Sequence, residues 1–164
     1  KNDLFLSIRN QSIIMLFRPS TNQIIWYKKG PWSRQHDVDI IDKTRISVFD
    51  NNKSNKLGIT EFNDYIIYNF QTNKVELPFS ETFKKYKIAT PTQGLSETIN
   101  DKEILIEESD FGRLMIVDKN SKVLWQFHNK NEKGESFILS WSRYMEKKSL
   151  NNITELLRNS NCSG

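Results

Sequence analysis

The sequence has little of what identifies several common functional classes. Its one cysteine, Cys162, cannot form an internal disulfide and has no metal-ligand spacing around it. No stretch approaches the ~20 apolar residues of a membrane span, and no signal peptide opens the chain. The net charge is only +4, with lysine and arginine scattered along the chain. The residues therefore predict no metal site, no cofactor, no membrane span and no nucleic-acid partner.

What the chain does contain is enough apolar material for one domain, arranged in short alternating runs. Of its 164 residues, 37% are hydrophobic and 12% aromatic. The run from Gln35 to Asn51 predicts two strands, 35–41 and 44–50, joined by a tight turn at Asp42 and Lys43. In the first strand His36, Val38 and Ile40 are predicted to share one face.

This two-strand pattern recurs along the chain. Residues 93–99 align with 35–41, and residues 102–108 align with 44–50. The two strands that follow also repeat, with Trp26, Leu77 and Trp125 at equivalent positions about fifty residues apart. Four short antiparallel strands at such a period are typical of a β-propeller blade, whereas a β-sandwich would not repeat strand order and a tryptophan at fixed phase.

The predicted fold is therefore all-β, a partial β-propeller of about two and a half to three four-stranded blades with a short C-terminal helix. Residues 1–148 form the blades: a partial blade at 4–28, full blades at 35–79 and 93–128, and a candidate further strand at 136–143. Residues 149–164 form the helix and tail, with Ile153, Leu156 and Leu157 at helical spacing. Because so few blades do not close, the open inter-blade faces, lined by residues such as Ile14, Leu16 and Trp26, are expected to favour self-association.

His36 is the candidate functional residue that the repeat isolates. The first strand of a blade lines the central channel, so a residue at its start lies near one mouth. The alignment places Gly94 in the third blade where His36 stands in the second, which indicates that the position does not maintain the fold. The alternative is a surface or hydrogen-bonded loop histidine. His128, at the end of an outer strand, is expected to be solvated.

Three short motifs carry a resemblance to a known family: Ser7-Ile8-Arg9, then Gln35-His36-Asp37, then Phe49-Asp50-Asn51. With the following blade they make residues 3–128 resemble the bacterial arylsulfate sulfotransferase family. The resemblance implies a six-bladed propeller of which this chain is the C-terminal part. It also implies transfer of a sulfuryl group from an aryl sulfate donor to a phenolic acceptor through a transiently sulfated histidine. By this resemblance His36 is the sulfated nucleophile and Arg9 the active-site arginine, and the compartment is periplasmic or secreted.

The same comparison leaves alternatives open. The family's His-x-Asn strand would lie before residue 1, and Glu107, Glu108 and Ser109 stand where a family threonine is expected. This segment alone is therefore expected to be inactive. A non-catalytic propeller that binds a ligand or protein is the second hypothesis, since propellers host many unrelated functions. Strand direction further predicts that Arg9, His36, Glu107 and Glu108 lie at one edge of the sheets, with Asp42 and Lys43 at the opposite edge.

Overall fold

The chain folds into three antiparallel sheets. The computed structural model describes residues 2–52 and 61–146 and, near the C-terminus, residues 150, 153–154 and 157–158. The first sheet has three strands and the other two have four each, with neighbours in the sheet also neighbours in sequence. This all-β arrangement confirms the predicted fold class and is consistent with a partial β-propeller.

Strand bounds follow the predicted runs closely. The first sheet contains β1 (Leu4–Ile8), β2 (Ile13–Arg18) and β3 (Gln23–Lys29). The second contains β4 (His36–Ile40), β5 (Arg45–Asp50), β6 (Asp64–Asn69) and β7 (Val75–Glu76). The third contains β8 (Leu95–Asn100), β9 (Glu103–Glu108), β10 (Arg113–Asp118) and β11 (Val123–His128). A helix that the sequence did not predict, α1 (Ser80–Lys85), connects the second sheet to the third.

The sheets pack face to face through two apolar cores. Between the first and second sheets lie Ile14, Trp32, Ile46, Val48, Ile66 and Tyr68. Between the second and third sheets, together with α1, lie Phe49, Tyr65, Phe79, Phe83, Ile88, Ile104, Ile106, Met115 and Val117. Because β5 and β6 contribute to both cores, their alternate side chains face opposite neighbours, and β5 is almost wholly buried.

This packing corrects the expected composition of the open faces. Ile14 is fully buried and Trp26 packs against the same core, stacking on Tyr68, so both face the second sheet. Leu16, paired with Trp26 across β2 and β3, lies on that side too. Strand alternation predicts which side chains share a face of the first sheet. It does not predict which of the two faces packs against the second sheet, so the residues of the open face were assigned wrongly.

The strand registers refine the repeat alignment. Trp26 pairs with Leu16 and Trp125 with Ile116, and each pair lies next to a β-bulge at the same place in its sheet. In the second sheet, β7 has no such bulge, so Glu76 rather than Leu77 pairs at the equivalent position, opposite Ile67. The bulge adds one residue to the outer strand, which a gap-free alignment does not detect.

The C-terminal part of the chain runs along the third sheet without adding a strand to it. In the segment 136–143, for which the sequence suggested a strand, Ser136 makes an isolated bridge with Lys130 and residues 137–143 form no strand. Of the predicted C-terminal helix and tail at 149–164, residues 150, 153–154 and 157–158 are described and are helical, and the other residues, including Cys162, lie outside the described residues. Within the described part of the chain, no helix is long and apolar enough to cross a membrane.

A buried carboxylate pair in the second sheet predicts a pH-dependent stability. Asp50 lies directly opposite Asp64, and burial raises the pKa of Asp50 to about 6, with the Asp64 charge adding to the shift. The folded state thus retains a proton that the unfolded chain releases near the ordinary pKa of about 4. This contribution stabilises the fold at low pH and is lost as pH rises from about 4 through 6.

We expect Asp50→Asn to remove this dependence, because the amide oxygen can still accept the backbone N–H bonds of Ser33 and Asn52. Urea unfolding should show the variant gaining about 1–3 kcal/mol over the wild type between pH 4 and 7. Asp118→Asn, at the half-exposed end of β10, is the control. A constant difference between Asp50→Asn and wild type across this range would contradict the assignment.

Candidate functional site

Ser7 and Gln35, from two of the resemblance motifs, connect the first sheet to the second. Gln35 is fully buried and donates from Nε2 to Ser7 Oγ at 3.0 Å and to the carbonyl oxygen of Ile13 at 2.9 Å. These bonds join the end of β1 to the start of β4. Because Arg9 follows β1 directly and His36 opens β4, the two predicted site residues are brought to the same edge.

The side chain of His36 is held by Asn51, the last residue of the Phe49-Asp50-Asn51 motif. Its Nδ1 lies 2.6 Å from Asn51 Oδ1, and Asn51 Nδ2 donates to the carbonyl oxygens of Thr90 and Gln93 at 3.1 and 2.8 Å. The two carbonyls accept from the Asn51 amide nitrogen, so its oxygen must face the imidazole. That oxygen can only accept, which places a proton on Nδ1. In the neutral ring, Nε2 therefore carries the lone pair.

The surroundings favour that neutral ring. Burial lowers the pKa of His36; the hydrogen bond that His36 donates to Asn51 opposes this shift, and the Arg9 charge adds to it. The charge of Asp110 raises the pKa of His36 and so opposes the effect of Arg9. Near pH 7 the imidazole is therefore predominantly uncharged and able to act as a nucleophile.

Arg9 opens a 3₁₀ turn (Arg9–Gln11), and Ser12, which follows the turn, has a φ of +56°. Its guanidinium donates from Nη2 to the carbonyl oxygen of Pro91 at 3.3 Å and from Nη1 to Asn10 Oδ1. Its Nε is buried and has no hydrogen-bond partner among the described residues. Arg9 does not line the cleft that contains His36, but its charge acts on the imidazole, and a positive charge there is suited to attract an anion.

His36 lines a cleft of about 320 Å³ between the second and third sheets. The other lining residues are Asp37, Gln93, Gly94, Leu95, Glu107, Ser109, Ser140 and Trp141. The C-terminal segment forms one wall of this cleft, because Ser142 N donates to Glu107 Oε2 at 2.7 Å and Tyr144 N to Glu97 Oε2 at 2.8 Å. The cleft thus combines an imidazole, two carboxylates and an indole.

The residues that strand direction predicts at each edge of the sheets lie at those edges. Glu107 lines the His36 cleft, and Glu108 accepts from Ala89 N and Arg113 Nε on the same edge of the third sheet. Asp42 lies in the turn at the far end of β4 and binds the backbone nitrogens of Thr44 and Arg45. His128 is exposed and lines a separate cavity of about 380 Å³ with Tyr86 and Glu108.

Several site residues were not found from the sequence. Asp37 and Asn51 belong to the motifs that carry the family resemblance, but the sequence assigns neither of them a role, and Trp141 belongs to no motif. The signal for Asn51 was present in the spacing: β4 and β5 pair antiparallel, so the residue just after β5 lies beside the residue that opens β4. Trp141 could not be found in this way, because it approaches from a segment outside the repeat.

The chain also matches the model of a known protein family. The model of the arylsulfotransferase (ASST) family matches residues 1–130. The chain belongs to the arylsulfotransferase family. The match includes Arg9, His36 and Asn51, and it ends just after the third sheet, so Trp141 and the segment around it lie beyond the matched region. A search of curated proteins found no match.

Among the described residues, no group of three or more histidine, cysteine, aspartate and glutamate side chains is arranged to hold a metal ion.

Proposed function

We propose that this arylsulfotransferase-family chain carries the nucleophile of a two-step sulfuryl transfer between phenolic compounds. His36 Nε2 attacks the sulfur of an aryl sulfate, the S–O bond to the phenol breaks, and a sulfated histidine forms. A phenolic acceptor then attacks the same sulfur, and Nε2 departs with its lone pair. Splitting one transfer into two easier steps is the general advantage of a covalent intermediate.

The observation that carries the proposal is the bond between His36 Nδ1 and Asn51 Oδ1. It leaves Nε2 unprotonated, with no hydrogen-bond partner among the described residues. The lowered pKa of His36 keeps that nitrogen available near pH 7. Arg9 contributes positive charge beside the imidazole and stabilises the negative oxygens of the sulfuryl group during transfer.

The test is incubation of the full-length protein with para-nitrophenyl sulfate and a phenol, because the segment alone is expected to be inactive. Acceptor-dependent release of nitrophenolate with ping-pong kinetics is expected. Peptide mapping by mass spectrometry should locate one added sulfuryl group on His36 when the acceptor is omitted. Turnover without a sulfated His36 would contradict the mechanism, and neither turnover nor sulfation would favour the binding-module hypothesis.

We expect Arg9→Gln to lower the rate of His36 sulfation by about 10²–10³, the usual cost of removing one group that stabilises developing charge. The matched control is Arg18→Gln, since Arg18 ends β2 and pairs with Asp3 at 2.7 Å. Stopped-flow release of nitrophenolate measures both variants. Equal rates for Arg9→Gln and Arg18→Gln would remove Arg9 from the site.

A further inference from the structure

Asp37 follows the proposed nucleophile in sequence and lines the same cleft. A β-bulge between His36 and Val38 sets it outside the regular pairing of β4 and β5, with a φ of +48°. Such bulges re-aim side chains and are common beside active sites. The side chain is only 7% exposed.

The hydrogen bonds of Asp37 leave one carboxyl oxygen free. Oδ2 accepts from Ser96 N at 3.1 Å, whereas the nearest cation to Oδ1 is Arg143 Nη1 at 3.9 Å, beyond hydrogen-bond reach. Glu107, the other carboxylate of the cleft, is fully engaged: Oε1 accepts from Ser109 Oγ at 2.7 Å and Oε2 from Ser142 N at 2.7 Å. Of the two, Asp37 alone has an oxygen available to a bound molecule.

Building on the proposed function, we propose that Asp37 is the general acid and base of the sulfuryl transfer. In the first step His36 Nε2 forms the S–N bond, the donor's S–O bond breaks, and the departing phenol oxygen takes the proton from Asp37 Oδ1. In the second step Asp37 takes the acceptor's phenolic proton as the acceptor oxygen attacks sulfur. The S–N bond then breaks, and both His36 and Asp37 return to their starting states.

The charges around Asp37 suit both roles. Burial and the neighbouring Asp39 charge raise the pKa of Asp37 to about 7, with Glu97 adding to the shift; Ser96 N and Arg143 oppose it. His36 and Glu107 also line its cleft. A carboxyl group with a pKa near the working pH can both donate and accept a proton efficiently.

The experiment compares two donors, para-nitrophenyl sulfate and phenyl sulfate, in the wild type, Asp37→Asn and Asp101→Asn. Asparagine tolerates positive φ and can still accept from Ser96 N, so the bulge should be retained. Asp101 is exposed in the turn between β8 and β9, at the opposite edge, and is the matched control. Rapid-quench mass spectrometry follows sulfation of His36, and circular dichroism checks folding.

Phenyl sulfate has the poorer leaving group and depends more on protonation. We expect Asp37→Asn to slow sulfation from phenyl sulfate about 10²-fold, and from para-nitrophenyl sulfate about tenfold or less. With phenyl sulfate, the wild-type rate should fall as pH rises through about 7, because Asp37 must be protonated, and Asp37→Asn should lack this fall. Asp101→Asn should behave as wild type.

Three results would overturn the assignment. Equal losses with both donors would show that Asp37 acts on structure rather than on the leaving group. A fall above pH 7 that persists in Asp37→Asn would place the acid elsewhere. No sulfation of wild-type His36 by either donor would remove the proposed function itself, and this outcome is distinguishable from the other two, in which the wild type is sulfated.

Discussion

Replacing His36 with asparagine is expected to abolish sulfuryl transfer, with a loss of about 10⁴-fold or more in turnover, as for other enzymes that lose their nucleophile. Asparagine fills a similar space and can hydrogen-bond to Asn51, but it offers no lone pair that can attack sulfur. Release of nitrophenolate from para-nitrophenyl sulfate measures the loss. Intact-mass analysis should show no sulfated protein.

The matched control is His128→Asn, because His128 is exposed and lies outside the His36 cleft. This variant should be sulfated at the wild-type rate. Should His36→Asn still become sulfated, the site of modification would identify a different nucleophile. Should both variants lose activity equally, a general effect on folding would replace the catalytic explanation.

Replacing Gly94 with alanine should strongly destabilise the protein. A methyl group at this position would lie 2.4 Å from Phe49 Cε1 and 2.7 Å from Thr90 Cγ2, and the φ of Gly94 is +96°. Phe49 is fully buried in the core between the second and third sheets and cannot shift freely. Overpacking and backbone strain together should cost about 3 kcal/mol or more.

Gly134→Ala separates these two causes. Gly134 also has a positive φ, +81°, but nothing lies within 4 Å of the added methyl group. Gly134→Ala should therefore lower the free energy of unfolding only by the backbone cost, about 1–2 kcal/mol. Urea unfolding of both variants gives the difference, which reports the clash with Phe49. Equal losses would show that packing at Gly94 is looser than the distances indicate.

Gly94 does not behave as the repeat alignment predicts. The alignment with His36 indicated that this position does not maintain the fold, yet Gly94 is held close against Phe49 by its packing. The bulge at Asp37 also changes the pairing: His36 lies opposite Phe49, and the equivalent partner of Glu107 is Leu95. The structural equivalent of His36 in the third sheet is therefore Leu95. One extra residue in a strand shifts a sequence alignment by one position at the point where the chain leaves regular pairing.

The sequence by itself determined the local and repeated features of this protein. Strand alternation and the recurring four-strand unit were enough to predict three sheets, their strand order and the edge shared by Arg9 and His36. These features depend on period and strand direction, which short stretches of sequence carry without reference to distant residues.

Only the tertiary structure decided which distant groups meet in the cleft. Asn51 is oriented by the carbonyls of Thr90 and Gln93, and Trp141 approaches from the C-terminal segment. The pKa of Asp37 depends on its burial and on Asp39, Glu97 and Arg143 together. Contacts between sheets and the resulting loss of solvent are properties of the packed molecule, so no local pattern in the sequence contains them.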